Sequence, residues 1–564
     1  MVSMIRGVVI VLLLIVGVSS AEQGLREEQL AAKAGKIWKE WAHVWDGSVT
    51  DEEMQSHLSE ESSFLWDAPE EKPDELSGGF LVMDRASSDE LVKGRGNVLK
   101  SFRQWPSTWS SGKVERSKFK VVKVHVAGDR LQTTELVALL VKGSKAEEYN
   151  GVWETQWLIQ EDGLKHVRTK VLTSHVVTLS EGSLFQDVTS NILPAQCRDD
   201  LELTAENFFW RERVPSAFEP DQFGETGVSI ADVNGDGLED VYLCQIAGLR
   251  NRLWLRTDEG LLKESPPCGL EIRDNTCAAL FLDFDADGDR DAVLTTSVGV
   301  VFFENDGKGI FLQKHRIDSI PHGFGMASTD YDQDGDLDLY ICQYYESRSE
   351  GEGVSRGSFP HPYPIYNALN GGRNVLLENQ GDWKFEDVTD KAGFDKENSR
   401  LSYACLWEDF DNDGDQDLFV VNDFGPNNYF LNDGKGKFAD HSDAPGVKDG
   451  GFGMGMTVAD FNHDGRYDIH ISNMYSGAGN RIARQDWFHA NKDQKIRDTL
   501  LSLARGNTLL ENIDGTAFSD VSEPSGIAMG RWSWASLAVD LNNDTRDDLL
   551  VANGFVTGKD PDDL

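Results

Sequence analysis

A nine-residue acidic loop recurs six times in this chain, and the recurrence limits the fold more than any other feature. The copies run 232–240, 283–291, 330–338, 409–417, 460–468 and 540–548, with first residues 51, 47, 79, 51 and 80 apart. Self-similarity at such a period marks a repeat architecture, in which each unit buries its apolar face against the next. The residues ahead of the loops alternate (GVSIA, GMTVA, SLAV). Position twelve, counted from each first Asp, is Leu243, Leu294, Ile341, Val420, Ile471 or Val551, always inside an aliphatic run. Each loop therefore joins two strands. Two companion elements recur between loops: F185QDVT, F385EDVT, F438ADHS and F518SDVS, and N374VLLEN, N428YFLN and N507TLLEN. The two long intervals hold inserts near 345–372 and 475–506.

Within the loop, positions one, five and nine are Asp in all six copies, and position three is Asp or Asn. Position six is Gly in five copies and Thr545 in the last. Carboxylates packed this closely repel one another unless a cation neutralises them. Ca²⁺ takes six to eight oxygens at about 2.3–2.6 Å from carboxylates, carbonyls and water. Gly at position six permits the sharp turn that lets the side chains converge, and the carbonyl of position seven completes the set. The expected ligands are Asp232, Asn234, Asp236, Leu238 and Asp240 in loop one, and Asp283, Asp285, Asp287, Asp289 and Asp291 in loop two. Loop three offers Asp330, Asp332, Asp334, Asp336 and Asp338, and loop four Asp409, Asp411, Asp413, Asp415 and Asp417. Loop five offers Asp460, Asn462, Asp464, Arg466 (by its carbonyl) and Asp468, and loop six Asp540, Asn542, Asp544 and Asp548. About five or six Ca²⁺ ions are expected on this pattern. An EF-hand is excluded, because it needs a bidentate Glu at position twelve and a helix after it. A plain solvated turn needs one or two such residues, not an ordered set repeated throughout the chain.

The formal net charge is −42, from 96 Asp+Glu against 54 Lys+Arg. A surface this acidic repels nucleic acid and anionic membranes and suits a chain that gathers cations. At the N-terminus, Arg6 precedes an apolar run from Val8 to Val18 and then Ser19-Ser20-Ala21. That order reads as a secretory signal covering 1–21, too short to span a bilayer. The mature protein is expected to be secreted, periplasmic or at the cell surface, without stable membrane insertion. Six cysteines are too sparse for a disulfide framework. Cys268 and Cys277 are close enough in sequence to bridge a loop, while Cys244 and Cys342 read as small buried hydrophobes.

Residues 22–183 differ from the rest. Helical spacing of Leu30, Ala34, Ile37, Trp38, Trp41 and Trp45 predicts a helix over 25–45, with further helices over 51–58 and 91–105. Strand-like runs follow at 118–127, 130–142, 150–160 and 164–179, separated by Gly128-Asp129 and Asp162-Gly163. Helices followed by an antiparallel meander predict an α+β layer in which a curved sheet wraps the helices.

Two resemblances follow from these residues. The loops, together with G323FGMASTDYDQDGDLDLYI and G451FGMGMTVADFNHDGRYDI, resemble FG-GAP (VCBS-type) repeats. That resemblance implies a calcium-binding β-propeller like those of integrin α subunits and cartilage acidic protein relatives. It covers about 380 residues, 184–564. The ending RWSWASLAVDLNNDTRDDLLVANGFVTG is similar to relatives that carry an ASPIC/UnbV module, and no such module is expected before Leu564. The element order of 22–183 resembles the SnoaL-like, nuclear-transport-factor-like cone. The expected fold is thus mainly β: a six- or seven-bladed propeller with Ca²⁺-binding loops, preceded by an α+β cone. Residues 185–225 and the last dozen are candidates for a seventh, loopless blade.

No GxSxG elbow, HExxH motif, P-loop or Cys/His metal cluster occurs. The strands of 22–183 carry His125, Glu135, Glu154 and His166, an acid–base set if they share a pocket. The expected function is an exported interaction or adhesion module for a protein or an acidic glycan. The alternative is an enzyme with its site in the cone or at the propeller mouth. The insert at 475–506 carries Arg481, Arg484, Lys492, Lys495, Arg497 and Arg505 with Trp487 and Phe488. It reads as a basic partner-binding element, or as a segment docked on the chain's own acidic loops.

Overall fold

Apolar residues at helical spacing do form the first helix, α1 (Val18–Ala42), which buries Leu30, Ala34, Ile37, Trp38 and Trp41. The structure is a computed structural model that describes residues 18–69, 74–76, 80–179, 188–194, 197, 200, 210, 213, 226–344, 362–485, 488 and 493–554. Most of the expected signal segment, the first three residues of the F185QDVT element, most of the first insert, Trp487, Lys492 and the last ten residues lie outside them. The chain divides into two compact units. One holds residues 1–186, 476–504 and 542–545; the other holds 187–475, 505–541 and 546–564.

In the first unit, α2 (Asp51–Ser56) starts with a capping box between Thr50 and Glu53. It ends earlier than its periodicity suggests, because Leu58 opens a strand. The strands are β1 (Leu58–Pro69), β2 (Asp74–Leu76), β3 (Phe80–Lys93), β4 (Lys113–Ala127), β5 (Arg130–Lys142), β6 (Ala146–Gln160) and β7 (Gly163–Leu179), with α3 (Arg95–Gln104) between β3 and β4. They make one seven-stranded sheet in the order β2-β3-β1-β7-β6-β5-β4. The strands β1 and β3 were not expected from the sequence; 58–69 carries five consecutive Ser and Glu residues, 59–63, that mask its alternation. In β5 every second residue is buried, so one face of the sheet meets the helices. The core there is aromatic: Trp38 stacks on Phe119 at 5.1 Å and meets Trp41, Trp153 and Trp157 edge-on.

The insert is helical as expected, giving α4 (Gly477–Ala483) and α5 (Gln494–Arg505). Residues 476–504 belong to the α+β unit, not to the repeats. Helix α4 packs on β4, the edge strand of the seven-stranded sheet. An Arg481 Nη donates to the Val121 carbonyl at 2.7 Å, and the guanidinium pairs with Glu28 at 2.8 Å. The edge of a sheet offers unpaired backbone groups, and this insert covers some of them.

The second unit is built of repeated antiparallel sheets. The strands are β8 (Val228–Ala231), β9 (Asp240–Leu243), β10 (Arg252–Arg256) and β11 (Leu262–Glu264); then β12 (Thr276–Leu282), β13 (Asp291–Thr296), β14 (Gly299–Asn305) and β15 (Phe311–Ile317). The third sheet has β16 (Gly323–Thr329), β17 (Asp338–Gln343), β18 (Val375–Asn379) and β19 (Phe385–Asp387). The fourth has β20 (Leu401–Glu408), β21 (Asp417–Asp423), β22 (Asn428–Asn432) and β23 (Phe438–Asp440). The fifth has β24 (Gly453–Ala459), β25 (Asp468–Asn473), β26 (Thr508–Asn512) and β27 (Phe518–Asp520); a sixth pairs β28 (Ser533–Val539) with β29 (Asp548–Asn553). The first strand of each sheet packs on the first strand of the next, from β8 through β12, β16, β20 and β24 to β28. Apolar clusters fill the seams, as where Tyr340 and Cys342 of the third sheet meet Trp407 and Val420 of the fourth.

Candidate metal centres

Every acidic loop lies between the first two strands of its sheet, so six copies of one turn are presented by six strand pairs. The turn has a fixed backbone. Position six is left-handed at Gly237, Gly288, Gly335, Gly414 and Gly465, with φ between 83° and 100°. Thr545 takes the same left-handed region in loop six, at φ 71°. A second left-handed residue sits at position four: Gly235, Ala286, Gln333, Asn412, His463 and Asn543, with φ between 59° and 70°. The sequence hides this, because five of those six are not glycine.

The side chains fold the turn around themselves. In loops one to five the position-one carboxylate accepts the N–H groups of positions five and six, as Asp330 does from Asp334 and Gly335 at 3.0 Å each. The position-nine Asp is buried in those five loops. It accepts the N–H of position two on one oxygen, as Asp417 does from Phe410 at 3.2 Å. Its other oxygen accepts the N–H of an Asn that ends the third strand: Asn305, Asn379, Asn432 and Asn512 in loops two to five. Each of these Asn side chains then donates to the position-two carbonyl of the preceding loop: Val233, Phe284, Tyr331 and Phe410, at 2.8–3.1 Å. One amide thus ties each loop to its predecessor. The recurring Asn of VLLEN, YFLN and TLLEN is the sequence signal for this staple.

The carboxylates converge most in the middle of the array. Ligand atoms of Asp283, Asp285 and Asp287 lie within 4.8 Å of one another, as do those of Asp330, Asp332 and Asp338, and of Asp409, Asp411 and Asp417. Position three (Asp285, Asp332, Asp411) and position seven (Asp289, Asp415) each keep a buried Oδ1 without a hydrogen-bond partner. Position seven was expected to give only its carbonyl; in loops two and four its carboxylate also turns inward. Burial, and then the neighbouring carboxylates, push Asp289 and Asp415 up to about 6. Burial pushes Asp338 and Asp417 to about 8 against their backbone hydrogen bonds. Orphaned, desolvated carboxylate oxygens are what a hard divalent cation satisfies, so the residues present fit Ca²⁺.

The outer loops differ. In loop one the Asn234 amide donates to Asp236 at 3.0 Å. In loop five the Arg466 guanidinium pairs with Asp464, a carboxylate expected to serve the cation, and donates to the Asn512 carbonyl at 3.0 Å. Arg466 therefore does more than lend a carbonyl: its charge already occupies position five. In loop six, Asp548 Oδ2 accepts the Leu541 N–H at 3.1 Å and Asn542 accepts from Asp544 at 2.9 Å, so the turn keeps its bonding without glycine.

The acid–base set of the α+β unit is taken apart by the fold. His125 is exposed, and Glu154 accepts from Gln132 at 2.7 Å. Glu135 and His166 are both fully buried and joined through hydroxyls. Glu135 accepts from Thr133 and from Thr155 at 3.0 Å, Thr155 meets Thr169 at 3.0 Å, and Thr169 meets His166 Nε2 at 2.9 Å. Burial raises Glu135 to about 7 and lowers His166 to about 3. A surface cavity of 610 Å³ in this unit is lined by Trp109, Ser110, Lys145 and Glu147 among others, and by neither Glu135 nor His166.

Part of the basic insert is engaged within the chain. Arg481 is held by Glu28 and Val121, Arg505 pairs with Asp520, and Phe488 is buried. Helix α4 lies on the α+β sheet. Cys268 and Cys277 are buried and are not joined by a disulfide.

Comparison with known proteins agrees with the loops. An FG-GAP-like repeat profile matches residues 283–341 and 409–471. Cartilage acidic protein 1 of Xenopus tropicalis is 26% identical over 266 residues, 44% of this chain and 40% of that protein. Its counterpart in Homo sapiens is 24% identical over 353 residues, 58% of this chain and 47% of that protein. The chain spans less than half the length of these curated relatives. Among solved structures, an Agrocybe aegerita lectin studied for recognition of non-reducing terminal N-acetylglucosamine is 13% identical with a TM-score of 0.34, over 85% of this chain and 94% of that one. A putative scytalone dehydratase from Novosphingobium aromaticivorans is 9% identical with a TM-score of 0.20, over 30% and 93%. Scores this low carry no argument. The chain carries FG-GAP-like repeats and is homologous to cartilage acidic protein 1.

Proposed function

We propose that this chain is an exported calcium-stabilised β-propeller serving as an extracellular interaction module, with a protein or acidic glycan as partner. The observation that carries the reading is the set of buried, partnerless carboxylate oxygens repeated at one position in loops two, three and four. Cations held there would neutralise the turns that begin neighbouring sheets, and so stiffen the scaffold that presents its loops. The strand order supports a ring: six sheets meet first strand to first strand, and the F185QDVT element carries the signature of a fourth strand that the β28–β29 sheet lacks among the described residues. Six or seven blades satisfy this arrangement. The α+β unit, SnoaL-like in element order, would be a second binding or dimerisation module.

Export is supported by the N-terminal signal pattern and by the extracellular character of the repeat class. No helix among the described residues is long and apolar enough to cross a membrane. The test is calorimetric titration of chelator-stripped full-length protein with Ca²⁺ and with Mg²⁺, followed by glycan and co-exported-protein screening with and without Ca²⁺. Saturable Ca²⁺ binding that Mg²⁺ replaces poorly, together with a Ca²⁺-dependent partner, is the expected result. Absence of Ca²⁺ binding would overturn the metal reading, and partner capture indifferent to Ca²⁺ would overturn the scaffold reading.

A further inference from the structure

Cys342 and Cys405 come from different sheets and meet in one seam. Cys342 ends the inward-facing series of β17, two residues after Tyr340, and is fully buried. Cys405 lies on β20, the first strand of the next sheet, and is half-buried. Both belong to the apolar cluster between the third and fourth sheets, and their thiols are in side-chain contact. Cys405 Sγ also lies 4.0 Å from the Tyr340 carbonyl.

The backbone explains why they meet. Cys342 pairs across β16 with Gly325. A Cβ on Gly325 would stand 2.4 Å from the Tyr403 carbonyl oxygen and 3.2 Å from the Ala404 Cα. Only a glycine lets β20 approach β16 that closely, and the approach brings Cys405 within reach of the neighbouring strand. At the matching seam between the fifth and sixth sheets, the same positions hold Ser472 and Ser536, and Ser536 bonds to His470 at 3.0 Å. The third-to-fourth seam thus puts thiols at the two positions that hold hydroxyls in the fifth-to-sixth seam.

We infer that Cys342 and Cys405 form a redox pair whose disulfide locks the third sheet to the fourth. The co-reactant is a low-molecular-weight disulfide of the exported compartment, such as oxidised glutathione. Cys405, the more exposed thiol, loses its proton and attacks one sulfur of that disulfide, releasing one thiol and forming a mixed disulfide on Cys405. Cys342 then gives up its proton and displaces the second thiol, forming the Cys342–Cys405 bond. The pair loses two electrons and two protons in all, and the co-reactant leaves as two thiols. Burial holds the Cys342 thiol well above its ordinary range, so the second step is the slow one. Cys342 lies four residues past Asp338 and Cys405 four residues before Asp409, so the lock would sit just behind two of the convergent loops.

The test uses the full-length chain with Ca²⁺ present, incubated with oxidised glutathione, alkylated with N-ethylmaleimide in denaturant without reductant, digested and mapped by mass spectrometry. The expected species joins the Cys342 and Cys405 peptides and is split by reductant. Thermal melts give a second readout: reductant should lower the melting temperature of the oxidised wild type by several degrees and leave Cys405→Ser unmoved. Alkylation of both residues in the oxidised wild type overturns the inference. So does a lasting glutathione adduct on Cys405, a bond within another pair such as Cys244 and Cys268, or a melting temperature that reductant changes equally in both proteins.

Discussion

The two units bury acidic groups by opposite means. In the α+β unit each buried charge or acid has a protein partner: Asp67 is met by Arg85 at 3.1 Å and by Trp105 at 3.3 Å, and Glu135 by two threonine hydroxyls. In the repeat unit the position-three carboxylates of loops two, three and four are desolvated and keep an oxygen that nothing among the described residues satisfies. A self-satisfied network folds in any buffer that spares its protonation states, whereas an unsatisfied one requires a ligand. Metal dependence should therefore divide along the boundary between the units.

The largest expected effect tests that division. Chelation should lower the melting transition of the repeat unit strongly, since each saturated site at a hundredfold excess over Kd contributes about 2.7 kcal/mol. A transition from the tryptophan-rich α+β unit, followed by fluorescence, should not move. Two transitions that shift together would erase the contrast. At single sites Asp413→Ala should cost more than Asp544→Ala, because loop four has the convergent cluster and loop six does not.

Next in size is the insert. Phe488→Ala should destabilise the α+β transition by about 3–5 kcal/mol, the usual cost of emptying a buried aromatic site. Deleting 480–503 behind a Gly/Ser bridge should do the same and leave Ca²⁺ binding intact. A deletion that leaves the fluorescence transition in place would show that the insert is decoration. A fragment of 22–182 alone should be less stable than the same unit in the full chain, as it lacks the cover on β4.

A pH series sharpens the comparison from the α+β side. Glu135 titrates near 7 in the folded unit and near 4.5 unfolded, so the folded state holds the proton more tightly. Its contribution is full below pH 4.5 and is lost as pH rises through 7. Glu135→Gln should remove that slope, seen by urea melts across pH 4–8; an unchanged slope would assign it elsewhere. His166 acts the other way: its pKa is lowered to about 3, so its share is present above 6.5 and lost as pH falls toward 3.

The smaller effects lie in the repeat unit. Asn432→Ala removes the amide that joins loop four to loop three and should cost about 1–3 kcal/mol through unpaired backbone groups. Thr545→Gly should stabilise loop six by about 1 kcal/mol, because it relieves a β-branched residue held left-handed. Equal melting of Thr545→Gly and wild type would mean that the strain is already absorbed.

Composition and spacing alone determined the repeat, its strand–loop–strand unit and the positions of the carboxylates, because a period-two pattern and a short acidic turn are local properties. The burial of Trp38, Trp41, Trp153 and Trp157 was legible for the same reason. Three things were decided only by tertiary structure. Strand β1 pairs in parallel with β7, more than a hundred residues away, so its Ser-rich segment reads as a strand only beside that partner. The helical insert left the repeats for the edge of another sheet, where Arg481 meets the Val121 carbonyl, a contact that no local pattern records. The staples Asn305, Asn379, Asn432 and Asn512 bond to a loop one sheet back, and only the stacking of sheet on sheet brings that carbonyl within 3.1 Å. Sequence fixes which groups a chain carries and their local geometry; which distant group each one meets depends on packing, and packing sums over the whole fold.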